Sequence, residues 1–180
     1  MTIRFALALS LLVSSPCSAQ QSTVITPQGV GPVRLCDSLA HVNTFFSSAR
    51  DIVVTGYGEG VSWPAKVVNS EGSVWILFET GWADTTRIHQ ISTNSPHYHT
   101  RHGYAVGNTV RQLLAKGDSI DIAYDQTALT LTIRAESVAF QVDTPAQLAF
   151  SRRSRHEANP LALLSRARII EFGVSSDCVH

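Results

Sequence analysis

The chain has 180 residues, of which 44% are hydrophobic, and its 14 basic and 14 acidic residues give a formal net charge of +0. This hydrophobic content excludes a mostly disordered chain, and the length suits one packed domain. The even charge balance provides no electrostatic attraction to nucleic acid or anionic lipid, so neither is expected as a partner.

The N-terminus has the layout of a secretory signal peptide. Arg4 precedes a largely apolar run over residues 5–13, and small residues follow as far as Ala19. We predict a signal peptide over residues 1–19 and a single secreted domain over residues 20–180, located in the periplasm or outside the cell.

Two alternatives to this leader fit less well. A lipid-attachment signal at Cys17 is disfavoured because Pro16 precedes that cysteine. The leader's apolar run is too short to span a bilayer, and no later run reaches about 18 residues. No integral membrane segment is therefore expected after signal cleavage.

The first part of the domain, about residues 23–95, reads as a helix followed by a meander. A short strand at Val33–Leu35 leads to Asp37 or Ser38, either of which can cap a helix that runs to about Ser48. One apolar stripe marks its buried face: Leu39, Val42, Phe45 and Phe46. Strands are then predicted at 52–55, 67–68, 73–79 and 86–92.

The second part, about residues 100–143, repeats this order. A strand at 104–106 leads through Gly107 to a cap at Asn108 or Thr109 and a helix over about 110–116. Alternating apolar residues then predict an antiparallel meander of three strands, at 120–124, 129–133 and 138–142.

The two parts share one pattern, so the predicted fold class is α+β with two tandem helix-then-antiparallel-meander repeats. We expect the repeats to share one curved sheet with the helices on one face, and a closing strand at about 167–175 to complete it. The first repeat is longer by 16 residues, which we place in a loop around the Gly-rich segment 56–60 and Trp63-Pro64.

Cys36 and Cys178 are the two cysteines that remain after removal of the leader. An oxidising compartment favours a disulfide between them, which would tie the C-terminal tail to the first repeat. The alternative is two separate thiols.

The chain resembles the tandem-repeat proteins of the β-lactamase-inhibitor-protein fold and the related small outer-membrane assembly lipoproteins. The resemblance rests on residues 31–38 (Gly-Pro-Val-Arg-Leu-Cys-Asp-Ser) and 106–109 (Val-Gly-Asn-Thr), which in those families lead from a strand through a turn into the helix. The opening Gly-x-Gly-x-Val-Arg is also similar to that of a set of uncharacterised secreted bacterial proteins. The resemblance implies a binding fold without specifying the ligand.

Histidines are concentrated between the two predicted repeats. In an extended segment His97 and His99 point to the same side, which suits two nitrogen ligands of a transition metal. His102, His89 or a nearby acid could supply a third. The alternative is a solvated linker. A metal-binding protein or metal-dependent enzyme built on His97, His99 and His102 is thus the second functional hypothesis.

Aromatic residues near the predicted turns are the first choice for ligand contacts. Trp63, Trp82, Tyr57 and Tyr98 can present exposed rings on the open face of the sheet, or they can cover the edge of the core.

The leading functional hypothesis is a secreted or periplasmic binding module without enzymatic activity. The sequence has no nucleophile elbow, zinc-protease helix or Ser-x-x-Lys motif, and the two cysteines have a structural use. No cofactor is expected, and another envelope or extracellular protein is the expected partner.

Overall fold

The computed structural model describes residues 23–56, 60–69, 73–124, 129–143, 161 and 164–178. The predicted leader lies outside these ranges. The described residues form the following strands: β1 (Val24–Thr26), β2 (Gly29–Val30), β3 (Val33–Arg34), β4 (Arg50–Thr55), β5 (Ser62–Asn69), β6 (Trp75–Thr80), β7 (Ile88–Thr93), β8 (His99–Thr100), β9 (Ile120–Tyr124), β10 (Leu129–Ile133), β11 (Val138–Val142) and β12 (Ile169–Ser175). They also form two short helices, α1 (Val42–Phe45), which follows a 3-10 turn at Leu39–His41, and α2 (Val110–Ala115).

The longer strands form one antiparallel sheet of eight strands in the order β4-β5-β6-β7-β12-β11-β10-β9. The hairpin-connected strands β4 to β7 make one half, and β9 to β11 make most of the other. Strand β12 joins the halves because it pairs with β7 on one side and β11 on the other, with Gly173 opposite Ser92 and Val174 opposite Ile91.

The shorter strands form a second sheet in the order β3-β2-β1-β8. In this sheet β1 runs parallel to β8, with Val24 opposite His99 and Ile25 opposite Thr100. Ile25, Val30 and Val33 are buried and belong to the same apolar cluster as the large sheet. The small sheet therefore helps to cover the large one.

The core lies on one face of the large sheet. Strands β10 and β11 alternate strictly between fully buried and half-buried residues, so their buried side chains share that face. Phe78, Phe140 and Phe172 are buried there, whereas their chain neighbours Glu79, Gln141 and Glu171 project from the opposite face. The large sheet thus has an apolar face and a polar face.

The predicted fold class is wrong. The described part of the chain is mostly β, has two sheets instead of one, and carries helices of only four and six residues, so it is not a pair of helix-plus-sheet repeats. The first predicted helix is short because α1 consists of Val, Asn, Thr and Phe, all weak helix formers. The Thr44 hydroxyl also donates to the carbonyl of His41 at 2.6 Å, and the chain leaves the helix at Phe46 to pack on Phe78.

The predicted insertion loop is also wrong around Trp63 and Pro64. Both residues lie in β5, where Trp63 pairs with Val54 and Pro64 pairs with Val53 of the edge strand β4. Proline is rare in paired strands because it lacks a donor, which is why the sequence suggested a loop. The carbonyl of Pro64 accepts a hydrogen bond from the Thr80 hydroxyl at 2.7 Å.

Similarity between the two segments at 33–38 and 104–109 is found in their turns. Cys36 and Gly107 both have positive φ, 68° and 95°. The following Asp37 and Asn108 accept hydrogen bonds at their side-chain oxygens from the backbone N–H groups of Arg34 (3.0 Å) and Ala105 (2.8 Å). In each turn the side chain thus accepts from the N–H three residues earlier, which pins the chain locally.

Both turns bind the beginnings of the two central strands. The N–H of Cys36 donates to the carbonyl of Ile88 in β7, and the N–H of Gly107 donates to the carbonyl of Ile169 in β12, each at 2.8 Å. In return the N–H of Ile88 donates to the carbonyl of Asp37, and the N–H of Ile169 donates to the carbonyl of Asn108, each at 2.9 Å. The turns therefore fix where β7 and β12 start.

The predicted disulfide between Cys36 and Cys178 is present, with a Cα–Cα distance of 5.5 Å across a sequence separation of 142. It links the first turn to the tail that follows β12. A disulfide is compatible with a location outside the cytoplasm. None of the helices in the described ranges has the length and apolar character that a membrane crossing requires.

Replacing both cysteines by serine is expected to lower the free energy of unfolding, by at most about 5 kcal/mol on the chain-entropy estimate for so long a loop. Denaturant unfolding of Cys36→Ser/Cys178→Ser against the oxidised parent measures the loss. Two titratable thiols in the parent, with the same electrophoretic mobility before and after reduction, would contradict the disulfide.

Candidate binding cleft

A cleft of about 400 Å³ opens on the polar face of the large sheet, beside strand β7. Strands β5, β6 and β7 and the tail after β12 contribute its lining, which includes Trp63, Glu79, Trp82, His89, Gln90 and Asp177. The N–H of Ser176 donates to the carbonyl of His89 at 3.0 Å, so the tail is anchored to the strand that it borders.

Trp63 is held in one orientation within this cleft. Its indole N–H donates to a carboxylate oxygen of Glu79 at 3.3 Å. Its ring also lies against Gly56, where an added Cβ would come within 2.9 Å of two ring atoms. Because the glycine leaves this space open, the indole packs directly on the backbone at one end and is hydrogen-bonded at the other.

Glu79 is a buried carboxyl group that is 8% exposed. Burial raises its pKa, and the hydrogen bond from Trp63 lowers the pKa by less. No Lys or Arg side chain of the described residues lies within ion-pair distance of Glu79. The negative charge at this position is therefore costly and lacks a cationic partner.

Glu171 is a second carboxyl group on the same face. Burial raises its pKa, the Ser92 hydroxyl opposes this by hydrogen bonding, and the negative charge of Glu79 raises the pKa further. It lines an adjoining cleft of about 220 Å³ that shares Gln90 and Ser175 with the first. The two clefts form one groove across the junction of β7 and β12.

His89 has an unused hydrogen-bonding atom. Its Nε2 is buried and has no hydrogen-bond partner among the described residues. The ring packs on Gly81, where an added Cβ would lie 3.4 Å from it. A buried nitrogen without a partner costs free energy, so it is a group that a ligand can satisfy.

Trp82 is the most exposed large apolar side chain among the described residues, with 75% of its surface accessible. It follows Gly81 at the end of β6 and lines the cleft together with Trp63. The structure therefore brings together two of the four aromatic residues selected from the sequence.

The other two aromatic residues lie elsewhere. Tyr98 borders a separate cleft of about 460 Å³ with Phe46 and Trp75, and burial raises the pKa of its phenol. Tyr57 lies outside the described residues. Tyr98 therefore belongs to a different surface from Trp63 and Trp82.

The sequence prediction missed Glu79 and Glu171, and it considered His89 only as a possible third metal ligand. One signal was available: Glu79 ends a strongly apolar run, and Glu171 stands between Ile170 and Phe172 in a strand. A carboxylate in such a position is rarely buried unless it is paired or functional.

The three histidines of the metal hypothesis have separate surroundings. His97 borders the cleft of Tyr98, His99 Nδ1 lies 3.0 Å from the carbonyl oxygen of Thr100, and His102 Nδ1 lies 3.2 Å from the Asp118 carboxylate. Among the described residues no group of three His, Cys, Asp or Glu side chains is placed to hold a metal ion. Metal binding at these histidines stays a prediction.

His102 takes part in a polar cluster around Tyr104, which is 1% exposed. The phenol donates a hydrogen bond to Asp118, and this bond lowers the pKa of the Asp118 carboxyl. The hydrogen bond between His102 and Asp118 lowers the same pKa by a smaller amount. Burial raises the pKa of Tyr104, and the bond to Asp118 adds to this. Lys116 lies 4.5 Å from the centre of the Tyr104 ring and donates to the His102 carbonyl at 2.6 Å.

Among solved structures, the fold is similar to that of the uncharacterized protein YfeY from Escherichia coli, with a TM-score of 0.59 and 14% sequence identity over 85% of this chain and 99% of that chain. At this identity the likeness concerns the fold alone. No family model matches the chain, and no curated protein matches it. The resemblance to the β-lactamase-inhibitor-protein fold and the assembly lipoproteins stays a prediction.

Tyr104→Phe is expected to lower the free energy of unfolding by about 1–2 kcal/mol at neutral pH, because Asp118 loses its main donor. Because the fold lowers the pKa of Asp118, this carboxylate contributes to the free energy of unfolding above its usual pKa of 3.8. That contribution is lost as the pH falls through the lowered pKa. The difference between the variant and the parent should shrink in acid. Tyr98→Phe is the matched control, and an equal loss in both variants would contradict the role of the Asp118 bond.

Glu79→Gln is expected to raise the free energy of unfolding at neutral pH, since glutamine keeps the acceptor for Trp63 without a buried charge. The fold raises the pKa of Glu79, so the protonated carboxyl contributes to stability below its usual pKa of 4.5. This contribution to stability is lost as the pH rises through the raised pKa and the carboxyl becomes charged. The gain should therefore disappear in acid.

Asp121→Asn is the matched control for this profile, because Arg134 lowers the pKa of Asp121. Denaturant unfolding across pH 4 to 7 should show a gain for Glu79→Gln and none for Asp121→Asn. A loss of stability in Glu79→Gln at neutral pH would show that the charged carboxylate is favourable where it lies.

Proposed function

We propose that the protein is a secreted or periplasmic binding protein without enzymatic activity, and that its ligand occupies the cleft lined by Trp63, Glu79, Trp82 and His89. Another envelope or extracellular protein is the expected partner. The single observation that carries the proposal is that one cleft combines the exposed Trp82, a fixed Trp63 and a buried His89 nitrogen with no partner in the part of the chain that the structure describes.

The composition of the cleft supports ligand binding. Ligand sites combine apolar or aromatic walls with a few polar groups in fixed positions. Two indoles supply the aromatic surface here, and the Glu79 carboxyl, the His89 nitrogen and the Gln90 side chain supply the polar groups. Tryptophan side chains are frequent anchors in binding surfaces.

The placement of the cleft on the sheet also supports the proposal. Trp63, Glu79 and His89 lie on β5, β6 and β7, each of which is paired with a neighbour on both sides. Side chains on interior strands are held more accurately than side chains on loops, so little ordering is required when a ligand binds.

Trp82→Ala is expected to weaken ligand binding by about tenfold or more without lowering stability, because the side chain is three-quarters exposed. The test is a thermal-shift screen of the parent against sugars, amino acids, amines and short peptides, repeated on the variant. Compounds that stabilise the parent should fail to stabilise Trp82→Ala.

Ile170→Ala is the matched control, since Ile170 is also an exposed apolar side chain but does not line either part of the groove. It should respond like the parent. If every stabilising compound acts equally on Trp82→Ala, or if none acts on the parent, the cleft is not the ligand site.

A further inference from the structure

We infer that the cleft recognises an organic cation, an ammonium or guanidinium group carried either by a small amine or by a basic side chain of a peptide. This inference rests on the proposed function, because it names the chemistry of the ligand in the same cleft. It follows from three features: the sign of the charges, the lack of a Lys or Arg partner for the carboxylates within the described ranges, and the two indole rings.

The charged groups that line the groove are predominantly acidic. Glu79 and Asp177 line the first cleft and Glu171 lines the second, while no Lys or Arg of the described residues lines either one. His89 is the remaining titratable group in this lining. A groove with one sign of charge and a partly buried wall concentrates ions of the opposite sign.

The carboxylates of the groove differ from those elsewhere on the same sheet. On β4, Asp51 accepts from Lys66 at 2.6 Å, and on β9, Asp121 forms an ion pair with Arg134. Glu79 has the indole N–H of Trp63 as its donor, and Glu171 has the Ser92 hydroxyl. Asp51 and Asp121, near the two edges, thus have a basic partner, whereas Glu79 and Glu171 in the groove have neutral donors.

This difference favours a positively charged ligand. A buried carboxylate without a cation is unfavourable, and a bound cation would remove that cost. Burial raises the pKa of Glu79, as expected for a carboxyl that lacks a counter-charge. An anionic ligand would meet repulsion from three acids, while a neutral ligand would leave the carboxylates uncompensated.

The two indole rings provide a second type of contact for a cation. Tryptophan is the best aromatic partner for a cation, and quaternary ammonium groups are recognised by aromatic rings in this way. Trp63 is fixed by Gly56 and Glu79, and Trp82 presents most of its ring to solvent. An ammonium group in this cleft can contact an indole and a carboxylate together.

The experiment is titration calorimetry at neutral pH and low salt with tetramethylammonium chloride, using tert-butanol as a neutral probe of the same shape. Tetramethylammonium should bind and tert-butanol should not. Glu79→Gln should weaken tetramethylammonium binding about tenfold, and Asp121→Asn, which removes one negative charge at the far edge of the sheet, should leave it unchanged.

Trp82→Leu separates a cation–π contact from an apolar one. Leucine keeps an apolar surface without a π face, and because Trp82 is exposed, this variant is expected to fold. It should weaken tetramethylammonium binding by several-fold. Equal binding by the parent and by both groove variants would overturn the inference.

Two further arms distinguish the source of the cation. Spermidine represents a free amine, and acetyl-Gly-Lys-Gly-amide represents a basic side chain, with acetyl-Gly-norleucine-Gly-amide as its neutral control. Spermidine binding that Glu79→Gln weakens, or tighter binding of the lysine peptide than of its norleucine control, supports the inference and assigns the source. If a neutral sugar binds in a Trp82-dependent manner and none of the cations does, the cation assignment falls while the proposed function stands; if no probe of either class binds, both fall.

Discussion

The pairing of β12 with β7 is the constraint on which the rest of the structure depends. These strands are far apart in the sequence, yet they are neighbours at the centre of the eight-stranded sheet. Turns of the same type, at Cys36 and Gly107, bind the first residues of β7 and β12 and set where each begins. The disulfide holds the tail after β12 close to the first of these turns. Local hydrogen bonds therefore stabilise a strand pairing that closes a long loop of the chain, and closing such a loop costs conformational entropy.

This pairing gives the two faces of the sheet different roles. On one face Phe78, Phe140 and Phe172 are buried in a continuous apolar cluster with the small sheet, and this burial is the main favourable term in folding. On the other face the junction brings Glu171 of β12 near Glu79 of β6, and carries the tail to the cleft. The groove formed where the two halves of the sheet meet therefore has carboxylates with no Lys or Arg partner among the described residues.

The sequence was most informative where the structural signal is local. The strands at 120–124, 129–133 and 138–142 match their predicted bounds because strict alternation of apolar residues specifies both the strand and its buried face. The fold class was wrong because a short apolar stripe at 39–46 indicated a helix, although the residues there favour one weakly. Trp63 and Trp82 could be selected as candidate contact residues, although in the structure Trp63 is half-buried and Trp82 is exposed. Their association with Glu79 and His89 could not, because it depends on the order and register of β5, β6, β7 and β12.

Native-state hydrogen exchange of the β12 amides tests the central claim most directly, which is that β7 and β12 form one cooperative centre. The amides of β12 that pair with β7 and β11 should exchange among the slowest in the chain, with opening free energies close to that of global unfolding. The edge strand β4, exposed along most of its length, should exchange faster. Rapid exchange throughout β12 while β6 and β7 stay protected would contradict the account, because the sheet would then end at β7 and the groove would have no second wall.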